Sequence, residues 1–596
     1  MEDQLQRLSV VLADFDSRAG MVEYHDLAAA VDQLATEVRQ SSAAPAPALV
    51  AESFAMSVCQ CKSGRPSHWG VCYGPMFVHN GFESPGFSLL TPEIVGYWSD
   101  RASSTCHPYL RARYADLAWE FAPHVSGATR TPDSARLMID AVLDSLASDL
   151  VPRMGDARRW MARALSVALQ LRDSPRVERI RDAIIDRERR VPLDAPGIWG
   201  YSFDLLIDGS RHIPLSEDER DEIIRRLETR LEAIAALENT RQAAFGVESV
   251  VRRLATYYRR TKRPDDMQRV LRRLRDAYLQ AVRDAEPLVA AHMLQQLGEL
   301  LRTFGESDMA DSLQPLLREQ SREAVANLHT ISAETELPTS EVEEYLAERT
   351  QGSYKEMFTR LAHEFVHRRG QMEQSLSDQL KQSTVANLFS TTLLDHEGRA
   401  TATIGPADRD TEGQLYHHTV RHMQFGATFM RMLVERLKSA RQLTADNVTS
   451  YLFQSELFAP VQHGLMAAGV RSYLADDWIT SIHIFVPQIE TAVRQLAECL
   501  DRPTLRPNRH GGNDLRMLGD LLGDEQVSQT LTADVAFHLR VLLADHRGMN
   551  VRNDVAHGLW PTSRFNSVVA DLLFHVLLLL GNLRAPPADA QPADVS

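Results

Sequence analysis

Within Arg552-Asn553-Asp554-Val555-Ala556-His557-Gly558 the chain gathers a fixed cation, an amide and an imidazole. Arginine stays charged and offers a planar fork of donors to a phosphate. Histidine gives or takes a proton near neutral pH. Together they suit cutting a phosphodiester by acid–base chemistry, but the spacing is awkward. Arg552 and His557 are five apart, so on a regular helix they point about 140° away from each other. Asn553 and His557, four apart, share a face. The two ends of the motif converge only if Arg552 sits at or before a helix start, or if the second half of the site comes from another chain. Gly558 and Pro561 break the helix before a last apolar one. His before Gly is also a common way for a short helix to end.

Other residues of chemical interest are scattered. Glu490 and Arg494 lie one helical turn apart, as a layer behind the motif or as an i,i+4 pair holding helices together. His538 and His546, on the stretch before the motif, read as structural or surface residues. Cys59, Cys61, Cys72 and Cys106, with His68 and His79 between them and His107 beside the last, are types that bind zinc. Their spacing lacks paired knuckles, and free thiols packed in a small domain are the default. Cys106 and His107, being adjacent, do not face each other as a nucleophile pair. No Walker loop, G-x-S-x-G, H-E-x-x-H or strand followed by G-x-G-x-x-G occurs. No cofactor is expected.

Length and composition bound the rest. At 596 residues the chain exceeds a single core, so three or four domains are expected. Its 44% hydrophobic and 24% charged content is that of an ordinary globular protein. Five cysteines are too few for a disulfide framework, which points to a reducing compartment and a cytoplasmic location. The acidic, amphipathic N-terminus does not read as a signal peptide. The best apolar run, Val568 to Leu580, carries Asp571 and His575 and reads as a core helix, so no membrane contact is expected. A formal charge of −15 argues against a general nucleic-acid coat protein, though not against a local basic cleft. The basic stretch Arg252, Arg253, Arg259, Arg260, Lys262 and Arg263, with Arg269, Arg272, Arg273 and Arg275, reads as a solvated helix face among acids.

The elements that must position these residues are mainly helical. Residues 1–125 form an N-terminal helical and turn-rich domain: one or two amphipathic helices to about 40, the linker 41–48, then a stretch rich in Gly, Pro and aromatics ending in the helical YLRARYADLAWEF (109–121). Residues 130–345 carry Leu, Ala, Arg and Glu at helical spacing, with capping boxes expected at Ser216/Glu219 and Ser340/Glu343. Three turns look alike, near 175, 265 and 307, each joining two amphipathic helices. They predict a tetratricopeptide-like array offering a surface to a protein partner. Residues 355–440 are helical with a β-hairpin at 385–404 turning at His396-Glu397-Gly398-Arg399. A helical bundle follows over 441–585, then a disordered tail, 586–596.

RNDVAHG resembles the R-N-x-x-x-H motif of the HEPN superfamily, and Gly558 is similar to its R-N-x-x-x-H-G branch, which includes endoplasmic-reticulum-membrane-associated RNA degradation protein-like domains. Upstream, Trp478 to Glu490 and then Val493-Arg494 resemble that branch's long helix, where P-Q-x-E-x-x-x-R precedes the motif. The resemblance covers about 355–585, and RARYADLAWEF at 111–121 is similar to part of an N-terminal domain that often accompanies it. It implies a helical bundle that pairs with a second copy, so that two motifs face one phosphate. It implies a metal-independent endoribonuclease in which His557 is acid or base, Arg552 stabilises phosphate charge and Asn553 orients the imidazole or binds phosphate, with Glu490, Arg494 and Asp554 behind them. RNA is then the substrate, a homodimer the assembly, and toxicity or phage defence the role that family habit suggests. The alternatives are a non-catalytic nucleotide- or RNA-binding module and a helical-repeat scaffold.

Overall fold

The computed structural model describes residues 2–41, 44–61, 66–79, 82–195, 197–209, 213–328, 338–382 and 389–584. The fold is mainly α: among the described residues the only sheets are four two-stranded antiparallel hairpins. The chain divides into two compact units, residues 1–285 with 292–312, and residues 286–291 with 313–596. The first two expected domains thus share a unit, and the divide falls near 312, ahead of the step expected at 345.

The first unit opens on amphipathic helices Glu2–Asp16, which buries Leu8, Leu12 and Phe15 with Gln4, and Tyr24–Gln40, which buries a stripe of leucine and valine. The expected linker is partly structured. Gln4 accepts from the Ala46 N–H at 2.8 Å and donates to the Ala44 carbonyl at 3.2 Å, and Pro47 starts a helix running to Ser57. Proline suits that first turn because its missing N–H has no intrahelical partner there. The turn-rich stretch forms two short hairpins, Cys59–Gln60 with Tyr73–Gly74 and Phe77–His79 with Phe82–Ser84. The helix Pro108–Phe121 follows and is buried along most of its length. Fully buried Glu52 takes hydroxyl bonds from Tyr97 and Tyr114, each at 2.7 Å, and a guanidinium bond from Arg101 at 3.2 Å. Such a carboxylate is tolerable inside because both of its oxygens are hydrogen-bonded and a cation sits beside it.

Further along, the three look-alike turns share one geometry. Arg172, Lys262 and Gly305 adopt left-handed φ of 55°, 58° and 89°. The next residue in each donates its N–H five residues back, Asp173 to Ala168, Arg263 to Tyr258 and Glu306 to Leu301, at 3.0, 2.9 and 3.0 Å. This is the Schellman closure of a helix, and it hands the chain to the next helix at Ser174, Pro264 and Ser307. The box at Ser216/Glu219 forms, but the one expected at Ser340/Glu343 does not. That helix begins at Thr339, so Ser340 lies inside it, and Glu343 pairs with Arg436 at 2.7 Å. A box forms instead at Ser353/Glu356.

In the second unit, Thr391–Leu394 pairs with Ala400–Ile404. Asp395 closes the turn by accepting the Glu397 and Arg399 N–H groups, each at 2.9 Å. Residues 385–388 of the expected hairpin, and the expected disordered tail, lie outside the described residues. The helix Ser567–Gly581 forms the centre, buried from Val569 onward. It packs against Tyr354–Glu364, Thr411–Ser439, Ala445–Leu452 and Trp478–Cys499. Its Asp571 is fully buried and stays satisfied through Arg431, whose Nε donates at 2.9 Å, and the Tyr473 hydroxyl at 2.5 Å. Burial still raises that carboxyl above its ordinary value. No described helix is long and apolar enough to cross a membrane.

Candidate active site

The motif occupies a six-residue helix, Val551–Ala556, placed between Ala533–Leu543 and Ser567–Gly581. Gly548 lets the approach to it fold tightly: a Cβ there would lie 2.1 Å from the Val541 carbonyl oxygen, which also takes the Met549 N–H at 2.8 Å. Val551 and Val555 anchor the short helix in the core. Its end is a Schellman closure, with Leu559 N–H on the Asp554 carbonyl at 2.9 Å and Gly558 N–H on the Val555 carbonyl at 3.1 Å. Gly558 takes φ of +65°, a conformation that disfavours any residue with a Cβ. The final glycine of RNDVAHG therefore has a backbone task of its own.

Arg552 lies in the first turn of this helix rather than at or before its start, and His557 is the C-cap. Arg552 reaches the long helix Trp478–Cys499, donating Nε to Glu490 at 2.6 Å and Nη2 to the same carboxylate at 3.1 Å. Arg494 shares Glu490 through a 2.8 Å bond, and its own Nη2 reaches the Arg516 carbonyl at 3.5 Å. Side-chain exposures of 17% for Arg552, 12% for Glu490 and 15% for Arg494 make this a sheltered cluster. Two cations meet one carboxylate, so the cluster carries an excess positive charge. The Arg494 Nε is buried with no partner. Glu490 and Arg494 are an i,i+4 pair, and Glu490 also pairs with the motif arginine.

Asn553 does not orient the imidazole. Its carbonyl oxygen accepts from Arg552 Nη1 at 3.0 Å, and its amide donates to Asn550 Oδ1 at 2.7 Å and to the Ala544 carbonyl at 3.4 Å. Asp554 accepts from the Asn550 amide at 2.7 Å and the Trp560 indole at 3.0 Å. These side chains lock the motif to the loop on either side of it. Asn550 itself adopts a left-handed φ of 51° at the N-cap, which asparagine tolerates better than most residues.

His557 is exposed, and its ring makes no hydrogen bond or ion pair among the described residues. Nothing joins it to Arg552 within the chain. Two further histidines belong to this neighbourhood, one of them not singled out by the sequence. His546 lies in the loop after its helix, exposed, with Nδ1 3.4 Å from the Asn550 amide. His483, two turns before Glu490 on the long helix, stacks on Phe565 at 4.9 Å, and Phe565 meets Trp560 at 5.5 Å. Its Nδ1 donates to the Ile479 carbonyl at 2.8 Å. A carbonyl only accepts, so neutral His483 keeps its free lone pair on Nε2. The spacing His483-x6-Glu490 on one helix face is the signal that would have found it.

Elsewhere the candidates dissolve. Among the described residues no three His, Cys, Asp or Glu side chains group as metal ligands. Cys59, Cys61 and Cys72 share a hairpin, but Cys106 lies on another element, and all are free thiols. Burial pushes the Cys72 thiol up to about 11, the wrong direction for a thiolate nucleophile. His107 is buried with Nε2 on the Gly20 carbonyl at 3.1 Å, whereas its neighbour Cys106 is exposed. His68 pairs with Glu83; the His79 side chain lies outside what is described. The basic stretch is largely paired: Arg252 with Glu248, Arg253 with Asp204, Arg260 with Asp208, Arg269 with Glu228 and Arg273 with Glu232.

A family model described as a domain of unknown function, DUF7380, matches residues 12–180, which takes in the buried Glu52 network and ends far short of the motif. No curated protein and no solved structure matches the chain.

Proposed function

We propose that the chain is a metal-independent endoribonuclease of HEPN type whose active site is completed by a second copy. The observation that carries this is the pairing of a solvent-facing, unengaged His557 with a sheltered cluster holding two arginines to one carboxylate at the other end of the same short helix. Five residues separate them, about 7.5 Å along a helix axis, so one chain offers half a site. In the assembled site His557 takes the proton of a ribose 2′-hydroxyl as its oxygen attacks phosphorus. The partner subunit's His557 protonates the departing 5′-oxygen as the P–O5′ bond breaks. Products end in a 2′,3′-cyclic phosphate and a 5′-hydroxyl. Arg552 and Arg494 supply the positive charge that the pentavalent phosphate gathers. The helical array would present RNA or sense a trigger through a protein partner, with toxicity or phage defence as the setting.

A non-catalytic RNA-binding module is the second reading, favoured by one observation: Arg552 already gives its Nε and Nη2 to Glu490 and its Nη1 to Asn553. Incubating the full chain with RNA in EDTA, beside His557→Ala and Arg552→Ala, separates the two. Cleavage lost in both variants supports the nuclease. RNA retained uncut by all three supports the binding module.

A further inference from the structure

Between the long helix and the short helices that lead to the motif, the chain makes a two-stranded excursion. Leu505–Pro507 pairs with Asn513–Leu515 in the register Leu505 to Leu515, Arg506 to Asp514 and Pro507 to Asn513. Every residue of both strands is exposed, so neither face packs on the bundle. A lone two-stranded ribbon is marginal in water, yet this one is fastened at both ends. At its base the Arg516 N–H donates to the Thr504 carbonyl at 2.8 Å, and the Arg516 guanidinium to the carbonyls of Pro503 at 2.9 Å and Asp520 at 3.0 Å. At its tip Asn508 Oδ1 accepts the N–H groups of His510 at 3.0 Å and Gly512 at 2.9 Å.

The charges are unevenly used. Arg502 at the base is neutralised by Asp524 at 3.0 Å, which Arg516 also approaches at 3.9 Å. Along the ribbon, Arg506 meets only Asp520, at 4.0 Å, and the side chains of Arg509 and His510 have no hydrogen bond or ion pair among the described residues. The one carboxylate on the strands, Asp514, is held by the Asn508 amide at 3.1 Å. Exposed Leu505 and Leu515 face each other across the pair, on the side of the ribbon opposite Arg506 and Asp514, and exposed Met517 follows the second strand. The base of the ribbon is also tied to the candidate site, because the Arg516 carbonyl takes the bond from Arg494, which shares Glu490 with Arg552.

We infer that this ribbon is an arm that grips a single RNA strand beside the cleavage site, with Arg506, Arg509 and His510 on its phosphates and the aliphatic side chains against unstacked bases. Proteins hold single strands by cations that track the backbone and by aromatic side chains on which bases stack; on this ribbon Leu505, Leu515 and Met517 offer aliphatic surface in place of the aromatics. With about 3.3 Å of rise per residue, the strands and turn project on the order of 15 Å from the base. The inference rests on the nuclease reading for its substrate, and its test is separable from it.

The test uses the full chain carrying His557→Ala, so that RNA is not consumed, and a fluorescein-labelled mixed-sequence single-stranded RNA followed by anisotropy from 50 to 300 mM salt. Arg506→Gln together with Arg509→Gln should weaken binding about tenfold at the lowest salt and flatten the slope of log affinity against log salt by about 1.4, for two lost phosphate contacts. Both side chains are exposed, and an unchanged melting temperature checks that the variant is folded. Binding with unaltered affinity and slope would overturn the arm and leave the nuclease reading intact. Absence of RNA binding in the His557→Ala chain would overturn the arm as well, while His557-dependent cleavage by the unmodified chain decides the nuclease reading separately.

Discussion

Glu490 is the residue on which the candidate site turns. It holds Arg552 through two bonds and Arg494 through a third, so replacing it strands two partly buried guanidiniums against each other. Glu490→Gln is expected to lose about 3 kcal/mol of stability, as broken buried pairs do, measured by urea denaturation of the full chain. Gly558→Ala should cost about 1 kcal/mol through its left-handed φ alone, while His557→Ala, at an exposed and unengaged ring, should leave the melting temperature where it was. At this scale the sequence was informative about residue types and silent about partners. The i,i+5 spacing of Arg552 and His557 announced that the two side chains would not converge on one regular helix. That Arg552 pairs with a carboxylate 62 positions away follows only from packing, and so does the turning of Asn553 away from His557.

At the scale of elements, the helices were legible wherever local chemistry sets their ends. The box at Ser216/Glu219 and the three matched turns depend on backbone closure within a few residues, which sequence records directly. The Ser340/Glu343 expectation failed because the helix starts two residues earlier than a Ser340 cap requires and a distant arginine claims the glutamate. Least legible was the histidine core of the bundle. His538 and His575 are fully buried with rings 5.2 Å apart, and His367 stacks on His538 at 5.5 Å, across separations of 37 to 208 positions. Burial lowers all three, His575 and His367 to about 4 and His538 well below its ordinary value. As pH falls below about 6.5 the unfolded chain therefore takes up protons that the folded core refuses. Stability is full above that value and declines down to about pH 4. Each such ring gives a slope of about 1.4 kcal/mol per pH unit, to be checked by urea denaturation at pH 7 and pH 5. His575→Gln should remove about a third of the slope from the three rings, and a pH-independent stability would refute the account.

For the whole molecule, the division near residue 312 separates the DUF7380 match from the motif. Calorimetry of the full chain should show two transitions. Lowering the pH from 7 to 5 should move chiefly one of them, because His367, His538 and His575 all lie in the second unit. A single transition, or two that shift equally, would contradict that assignment. The arginines of the 252–275 stretch are largely paired with carboxylates, in line with the expectation of a solvated helix face among acids. If RNA is engaged, it is engaged locally, at the motif and the ribbon beside it.

The most direct test of the central claim is the chemistry of the product ends. RNA incubated with the full chain in EDTA should be cut to fragments bearing 2′,3′-cyclic phosphate and 5′-hydroxyl ends, and no such ends should appear with His557→Ala. Cleavage that leaves 5′-phosphates, or that survives His557→Ala, would contradict the account.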